Sequence, residues 1–281
     1  MFSLIARLKP TAWATAALAG ALLWGAAAIA SSPRVVYDAY VWGAIAWQSQ
    51  GWQGLRHLTT GHFVVYYPPG RSADAQLVAA ELEQALRVES RNLGQTLPFR
   101  LPVVLYDQAG QMNASVGMPA RDRDVGFYWK GVIRLLTPEA WLGSTPSALA
   151  EYAQVGPVAH ELGHALLAFR AYGNYPDWFN EGVAQMEDTA VTGWSAPRPP
   201  GPLYPVAALT QNFYQLPNQA MAYWEAQGMT TYLAHQGNAA RFNQFLARLQ
   251  AGTAFSQALT QTYGYSSPQA LFDAWRASVG G

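Results

Sequence analysis

Alternation and periodicity divide the chain into parts of different character. His62-Phe63-Val64-Val65-Tyr66-Tyr67 is a β-prone run stopped by Pro68-Pro69-Gly70, and Leu101-Pro102-Val103-Val104-Leu105-Tyr106 reads as a buried strand. Between them Leu77, Val78, Leu82, Leu86 and Val88 recur at helical spacing and predict a helix over about 73–92. Val125–Trp129 and Val132–Leu136 then flank Lys130-Gly131, a tight-hairpin pattern. Farther on, Thr145-Pro146 predicts a short helix with Thr145 as N-cap and Pro146 at its first position. Pro157 plays the same part for a helix that Ala165, Leu166, Leu167 and Phe169 anchor in the core. Six prolines from Val191 through Pro217 predict an irregular loop, placed to cover or shape a cleft. The remainder reads as helices over roughly 218–236, 238–250, 254–263 and 267–279, with Gly237, Gly252 and Gly264 between them and Ser267-Pro268 opening the last. The pattern is α+β: a small mixed sheet followed by a helical half.

The N-terminus differs from both. Arg7 and Lys9 precede an uncharged, Ala-rich run from Pro10 to Pro33, with Ala28-Ile29-Ala30 before Ser31. A cleaved secretory signal over residues 1–30 and a retained membrane anchor both fit, since about 20 apolar residues span a bilayer. Basic residues on the N-terminal side leave the rest outside the cytoplasm, so the expected location is extracytoplasmic, secreted or anchored through residues 10–33. Residues 31–58 read as a connector with some helical content. Its Trp42, Trp47 and Trp52 rest on a membrane interface or pack on the domain, which is expected over 59–281. Apolar residues make up 51% of the 281 and charged ones 12%, which favours a packed or membrane-associated protein over a disordered one. Lys and Arg balance Asp and Glu at 17 each, so no field steers the protein toward nucleic acid. With no cysteine, disulfides, thiol nucleophiles and Cys-ligated zinc are excluded.

The candidate chemistry is concentrated in His160-Glu161-Leu162-Gly163-His164. Two imidazoles four apart on a helix share a face and reach one metal ion, while Glu161 points beside that face, where it can take a proton from water. Trp178-Phe179-Asn180-Glu181-Gly182-Val183-Ala184 follows, with sixteen residues between His164 and Glu181. Gly173, Asn174 and Pro176 end the first helix within that gap. A second helix from about Asp177 then carries Glu181 in its first turn, facing the histidines. Two His and one Glu leave a fourth zinc position open, as a catalytic site requires. The bland alternative for Glu181 is a charge that complements a helix dipole.

The paired segments HELGH and WFNEGVA resemble the gluzincin metallopeptidases, the group that includes thermolysin and aminopeptidase N, and most nearly the small bacterial peptidase MA-like domains. The resemblance implies a zincin-like fold, a Zn2+ cofactor, and a peptide or protein substrate. It also implies that an edge strand lies along the cleft and pairs with the substrate backbone, for which the 125–136 hairpin is the candidate, with ordinary sheet packing as the alternative. Aminopeptidase-N-type enzymes place an acidic residue where Asp188 stands, seven residues after Glu181, to hold a metal-bound imidazole; Glu187 is its rival, and a solvated helix charge the plain alternative. The same enzymes use a Tyr nine residues before a Tyr-Leu pair to stabilise the oxyanion, which matches Tyr223 before Tyr232-Leu233. Thermolysin uses a His, for which His235 is the downstream choice, and a core tyrosine is the alternative to both. One departure limits the likeness: the Gly-x-Met-x-Asn segment of the aminopeptidases is missing, so a small endopeptidase, or a peptidase of open preference, is the better expectation.

Three readings compete. The first is a zinc-dependent peptidase with Glu161 as base, exported or membrane-tethered. The second is a non-catalytic zinc-stabilised extracytoplasmic binding or assembly module, which loss of the base would have favoured. The third, a membrane-embedded protease, is opposed by the polar surroundings of the motif and the lack of further apolar spans.

Overall fold

A computed structural model describes residues 33–120 and 124–279, so the signal or anchor expected over residues 1–30 lies outside the described residues. Helix α1 (Pro33–Gln48) leads through a 3-10 turn (Ser49–Trp52) to strands β1 (Arg56–Thr59) and β2 (Phe63–Tyr67). Helix α2 (Ser72–Leu93) crosses to β3 (Leu101–Tyr106), followed by α3 (Ala109–Ala114) and the hairpin β4 (Gly126–Trp129) and β5 (Val132–Leu136). The helical half comprises α4 (Pro138–Leu142), α5 (Ala148–Val155), α6 (Val158–Ala171), α7 (Asp177–Thr192) and α8 (Val206–Asn212). After a 3-10 turn (Phe213–Gln215) come α9 (Gln219–His235), α10 (Ala239–Gln250), α11 (Phe255–Tyr263) and α12 (Pro268–Ser278). The expected α+β architecture, a small mixed sheet and a mostly helical second half, is what forms.

The sheet runs β1-β2-β3-β5-β4. β2, β3 and β5 are parallel, and the outer strands β1 and β4 pair antiparallel to their neighbours. β3 and β5 are buried from Leu101 to Leu105 and from Val132 to Leu136, as strands covered on both faces should be. β4 is left at an edge beside α6. Lys130 and Gly131 both take positive φ, 48° and 86°, which is how a two-residue hairpin matches the strand twist.

Several local expectations are corrected. β1 was not expected, because Arg56-His57-Leu58-Thr59 carries one apolar residue; its register with β2 makes it a strand. The segment read as a connector with some helical content does carry a helix, α1, which packs on the hairpin, and the strand β1 was the part not foreseen there. A Cβ on Gly131 would lie 2.5 Å from Val41 Cγ1, so only glycine lets the helix seat there. Thr145 is not a cap: α5 begins at Ala148 behind Ser147, and the Thr145 carbonyl accepts the Ala148 N–H while its hydroxyl meets that of Ser147 at 3.4 Å. Thr137-Pro138 works as that motif instead, the Thr137 hydroxyl accepting from the Ala140 N–H ahead of α4. Pro157 stands at the N-cap of α6 rather than inside it. The proline-rich stretch is not loop throughout, since Pro205 opens α8 and buried Val206 and Leu209 hold it to the core.

Two glycines set how closely the site helices approach. A Cβ on Gly163 would stand 3.1 Å from Ala184 Cα, so α6 and α7 cross there with little between their backbones. At Gly182 a Cβ would fall 2.1 Å from Thr230 Oγ1 and 2.3 Å from the Ala226 carbonyl oxygen, which presses α7 on α9. Gly182→Ala is therefore expected to destabilise the fold by about 1–3 kcal/mol, the usual cost of overpacking, because backbone cannot yield as a side-chain tip does. Urea unfolding would read it; unchanged stability would mean that the crossing is looser than described.

Candidate metal centre

Helix α6 is buried almost all round, with the sheet on one side and α7 on the other. His160 is its one residue that is not fully buried, and so marks where solvent reaches the site. The start of α7 is pinned by Trp178 and Phe179, both fully buried, with the Phe179 ring against Phe242, Phe245 and Phe255. This aromatic anchoring carries Glu181 to the histidines from just beyond the first turn of α7, one residue later than the spacing suggested.

His160 Nε2 and His164 Nε2 are 3.0 Å apart, and Glu181 Oε2 lies 3.3 Å from the first and 3.4 Å from the second. Two ligand atoms ~2.0 Å from a tetrahedral ion are about 3.3 Å apart, so the triangle has the size of one face of such a coordination shell. Among the described residues this is the one group of His, Cys, Asp or Glu side chains close enough to share a metal ion. Glu181 Oε2 is buried with the two imidazole nitrogens as its polar neighbours, as an atom meant to share a cation with them should be. The residues fit a bound metal.

The electrostatics follow from burial and opposed charge. Burial alone would depress the His164 imidazole, but the Glu181 carboxylate, with Glu161 and Asn180 behind it, lifts it to about 9. Burial would raise Glu181, and the two histidines overcome that and hold it well below the usual carboxylate range. Glu161 is displaced upward: burial dominates, His160 and His164 oppose it, and Glu181 adds to it. The backbone N–H of Tyr128 on β4 faces its carboxylate and works against that rise, while Oε2 is buried and unpartnered. Val125 accepts from the Leu136 N–H, so strand alternation turns the amides of Gly126 and Tyr128 to the free edge of the sheet. The base and the edge strand are thus directly joined.

The family model of the Peptidase MA superfamily matches residues 102–281, from within β3 to the end of the chain. The chain belongs to the Peptidase MA superfamily. Membership points to a peptidase, which acts on peptides or proteins. A comparison with curated proteins gave no match.

In this Peptidase MA chain the remaining expected site residues divide. Tyr223, on α9, faces the centre: burial raises its hydroxyl above the ordinary tyrosine range, and the Glu181 carboxylate, which the hydroxyl also approaches, adds to that together with Glu161. Its ring packs edge-on against Phe213 at 5.3 Å. Asp188 lies near His160; burial lifts its carboxyl to about 6, with the imidazole pulling the other way, and its Oδ1 is buried without a partner. The rival Glu187 turns to the back of α7, where Asn92 of α2 donates to it at 2.8 Å. His235 is far off. It stands at the far end of α9, twelve residues past Tyr223 and so roughly 18 Å along the helix, where it lines a separate cavity of about 970 Å³ with Trp224 and Trp275.

Three participants were not visible in the Peptidase MA sequence pattern. Asn180 Oδ1 lies 3.0 Å from His164 Nδ1, which orients that ring with Nε2 toward the triangle. The Tyr214 hydroxyl donates to Glu181 Oε1 at 2.7 Å, leaving Oε2 as the oxygen on the histidine side. The Tyr128 amide reaches Glu161. Asn180 had a signal in its place inside WFNEG, next to Glu181; Tyr214, from a stretch read as loop, and a backbone amide had none.

Proposed function

We propose that the protein is a zinc-dependent peptidase of gluzincin type, exported or membrane-tethered through residues 10–33, in which His160, His164 and Glu181 hold the ion. The observation that carries this reading is the triangle of ligand atoms with the Glu161 carboxylate turned beside it. When bound, zinc supplies a Lewis acid for the scissile carbonyl and a water acidified to near neutrality.

The protein's own part is positioning and proton handling. Glu161, made more basic by burial and held by the Tyr128 amide, accepts a proton from the attacking water and passes it to the leaving amine. Tyr223 donates to the oxyanion as the carbonyl becomes tetrahedral. Asp188 and Asn180 keep the two imidazoles oriented, and Tyr214 steadies Glu181. The free edge of β4 offers the substrate a strand to pair with.

The test is metal content and its removal. The chain purified without chelators is expected to carry about one zinc, to lose hydrolysis of a peptide mixture on chelation, and to regain it with zinc. No zinc and no uptake on titration would sink the metal assignment. Zinc without any cleavage would favour the non-catalytic binding module.

A further inference from the structure

We propose that the outward face of α1 rests on a lipid surface. Tyr37, Val41, Ile45 and Gln48 turn inward, with Val41 fully buried and the Gln48 amide donating to the Lys130 carbonyl at 3.2 Å. The opposite face is unlike that of an ordinary surface helix, which turns charged residues to water. Val35, Val36, Tyr40, Trp42 and Trp47 are 44%, 48%, 50%, 53% and 60% exposed, with Ala39, Gly43 and Ala46 between them; Trp42, at the edge of the patch, also packs on Phe99, 4.4 Å between ring centres. No charged side chain stands on that face. The two charges of α1, Arg34 and Asp38, pair with each other at its border, 3.6 Å apart.

The chemistry selects lipid rather than a dry protein partner. The patch is bordered by Lys130, whose ammonium lies 4.3 Å from the centre of the Trp129 ring and 5.5 Å from that of Tyr40. Tryptophan, tyrosine and a long-stemmed lysine together suit the boundary where apolar chains meet wet headgroups. The uncharged run Pro10–Pro33 precedes α1 with no polar linker beyond Ser31-Ser32, so wherever that run is retained as an anchor, the form of the protein on which this proposal rests, the bilayer lies at the N-terminal end of α1. α1 does not itself cross: no helix of the described residues is long and apolar enough, and its inner face is occupied by the domain. It lies along the surface. Trp52 takes no part, since it is buried against Tyr66 at 4.6 Å. Trp47 stands 6.4 Å from Trp129, the last residue of β4, so the edge strand ends at the lipid-facing patch.

The chain has no cysteine, which makes the test direct. Single spin labels are placed at Ala39→Cys, at Ala46→Cys and, as a control, at exposed Gln257→Cys on α11, each in the full chain mixed with phosphatidylcholine–phosphatidylglycerol vesicles. Flotation is expected to carry the protein with the vesicles. Labels at 39 and 46 are then expected to be relaxed by oxygen and shielded from a water-soluble nickel chelate, and the label at 257 the reverse. Nickel access at 39 and 46 equal to that at 257, or a chain that does not float, overturns the proposal. Shielding from both reagents also overturns it. If that shielding fades on dilution into excess lipid the cover is a second copy, and if it persists the cover is another part of the chain.

Discussion

Glu161→Gln is expected to keep the metal and lose the reaction, with kcat down by about 10²–10⁴. The side chain lies outside the ligand triangle, so its change leaves His160, His164 and Glu181 as they are. An amide oxygen still accepts the Tyr128 N–H, which keeps the group in place. What the amide cannot do is take a proton. Removing a buried, partly unsatisfied carboxylate also costs the fold little, because Glu161 Oε2 has no partner to lose. The measurement is kcat on any peptide that the unmodified protein cleaves, beside metal content and a melting curve. Turnover comparable to the parent with zinc bound would remove Glu161 from the mechanism.

The second large effect is expected at Tyr223. Tyr223→Phe keeps the ring and its contact with Phe213 and deletes one donor; loss of an oxyanion donor typically costs about 10²–10³ in kcat. Metal content should hold better than in Tyr214→Phe, since Tyr223 is not one of the three ligands and the hydrogen bond of ordinary geometry to Glu181 comes from Tyr214. The contrast is Tyr214→Phe. Its hydroxyl bonds Glu181 Oε1, so its loss is expected to appear first as weaker zinc retention rather than in kcat of the loaded protein. A near-normal kcat for Tyr223→Phe beside a collapsed kcat for zinc-replete Tyr214→Phe would transfer the oxyanion role to Tyr214. His235→Ala should leave the rate alone, because that residue lines a different cavity.

How much of this was legible in the sequence depends on how local each feature is. His160 and His164 share a helix face by spacing alone, and Glu181 follows from where one helix must stop and the next begin. The sheet was legible where strands are apolar throughout, as in β3, and illegible at β1, whose identity comes from pairing and not from composition. Tyr214 was hidden because proline counts suggest loop, whereas Pro205 merely starts a helix that delivers the 3-10 turn to the centre. The closeness of α6, α7 and α9 depends on Gly163 and Gly182, and no local pattern says what a missing side chain will touch. The outward apolar face of α1 was not legible either, because Asp38 stands in the middle of that stretch of sequence. In three dimensions it sits at the border with Arg34, and the face is continuous.

The glycine crossings have a consequence for motion. With α6 seated on α7 at Gly163 and α7 on α9 at Gly182, the helices that bear both histidines, Glu181 and Tyr223 cannot slide past one another without backbone clash. They form a stiff wall, and a substrate cannot be admitted by parting them. The opposite wall is thinner: β4 is an edge strand of four residues, ladder-paired on one side only, by β5, while its other side meets the start of α6 at Pro157 and its hairpin end is seated on α1. Any opening of the cleft is therefore expected at that strand, next to the base, rather than between the helices. Amide hydrogen exchange at Tyr128 should outpace that in the α7–α9 crossing, and equal protection at both would show the two walls to be equally stiff.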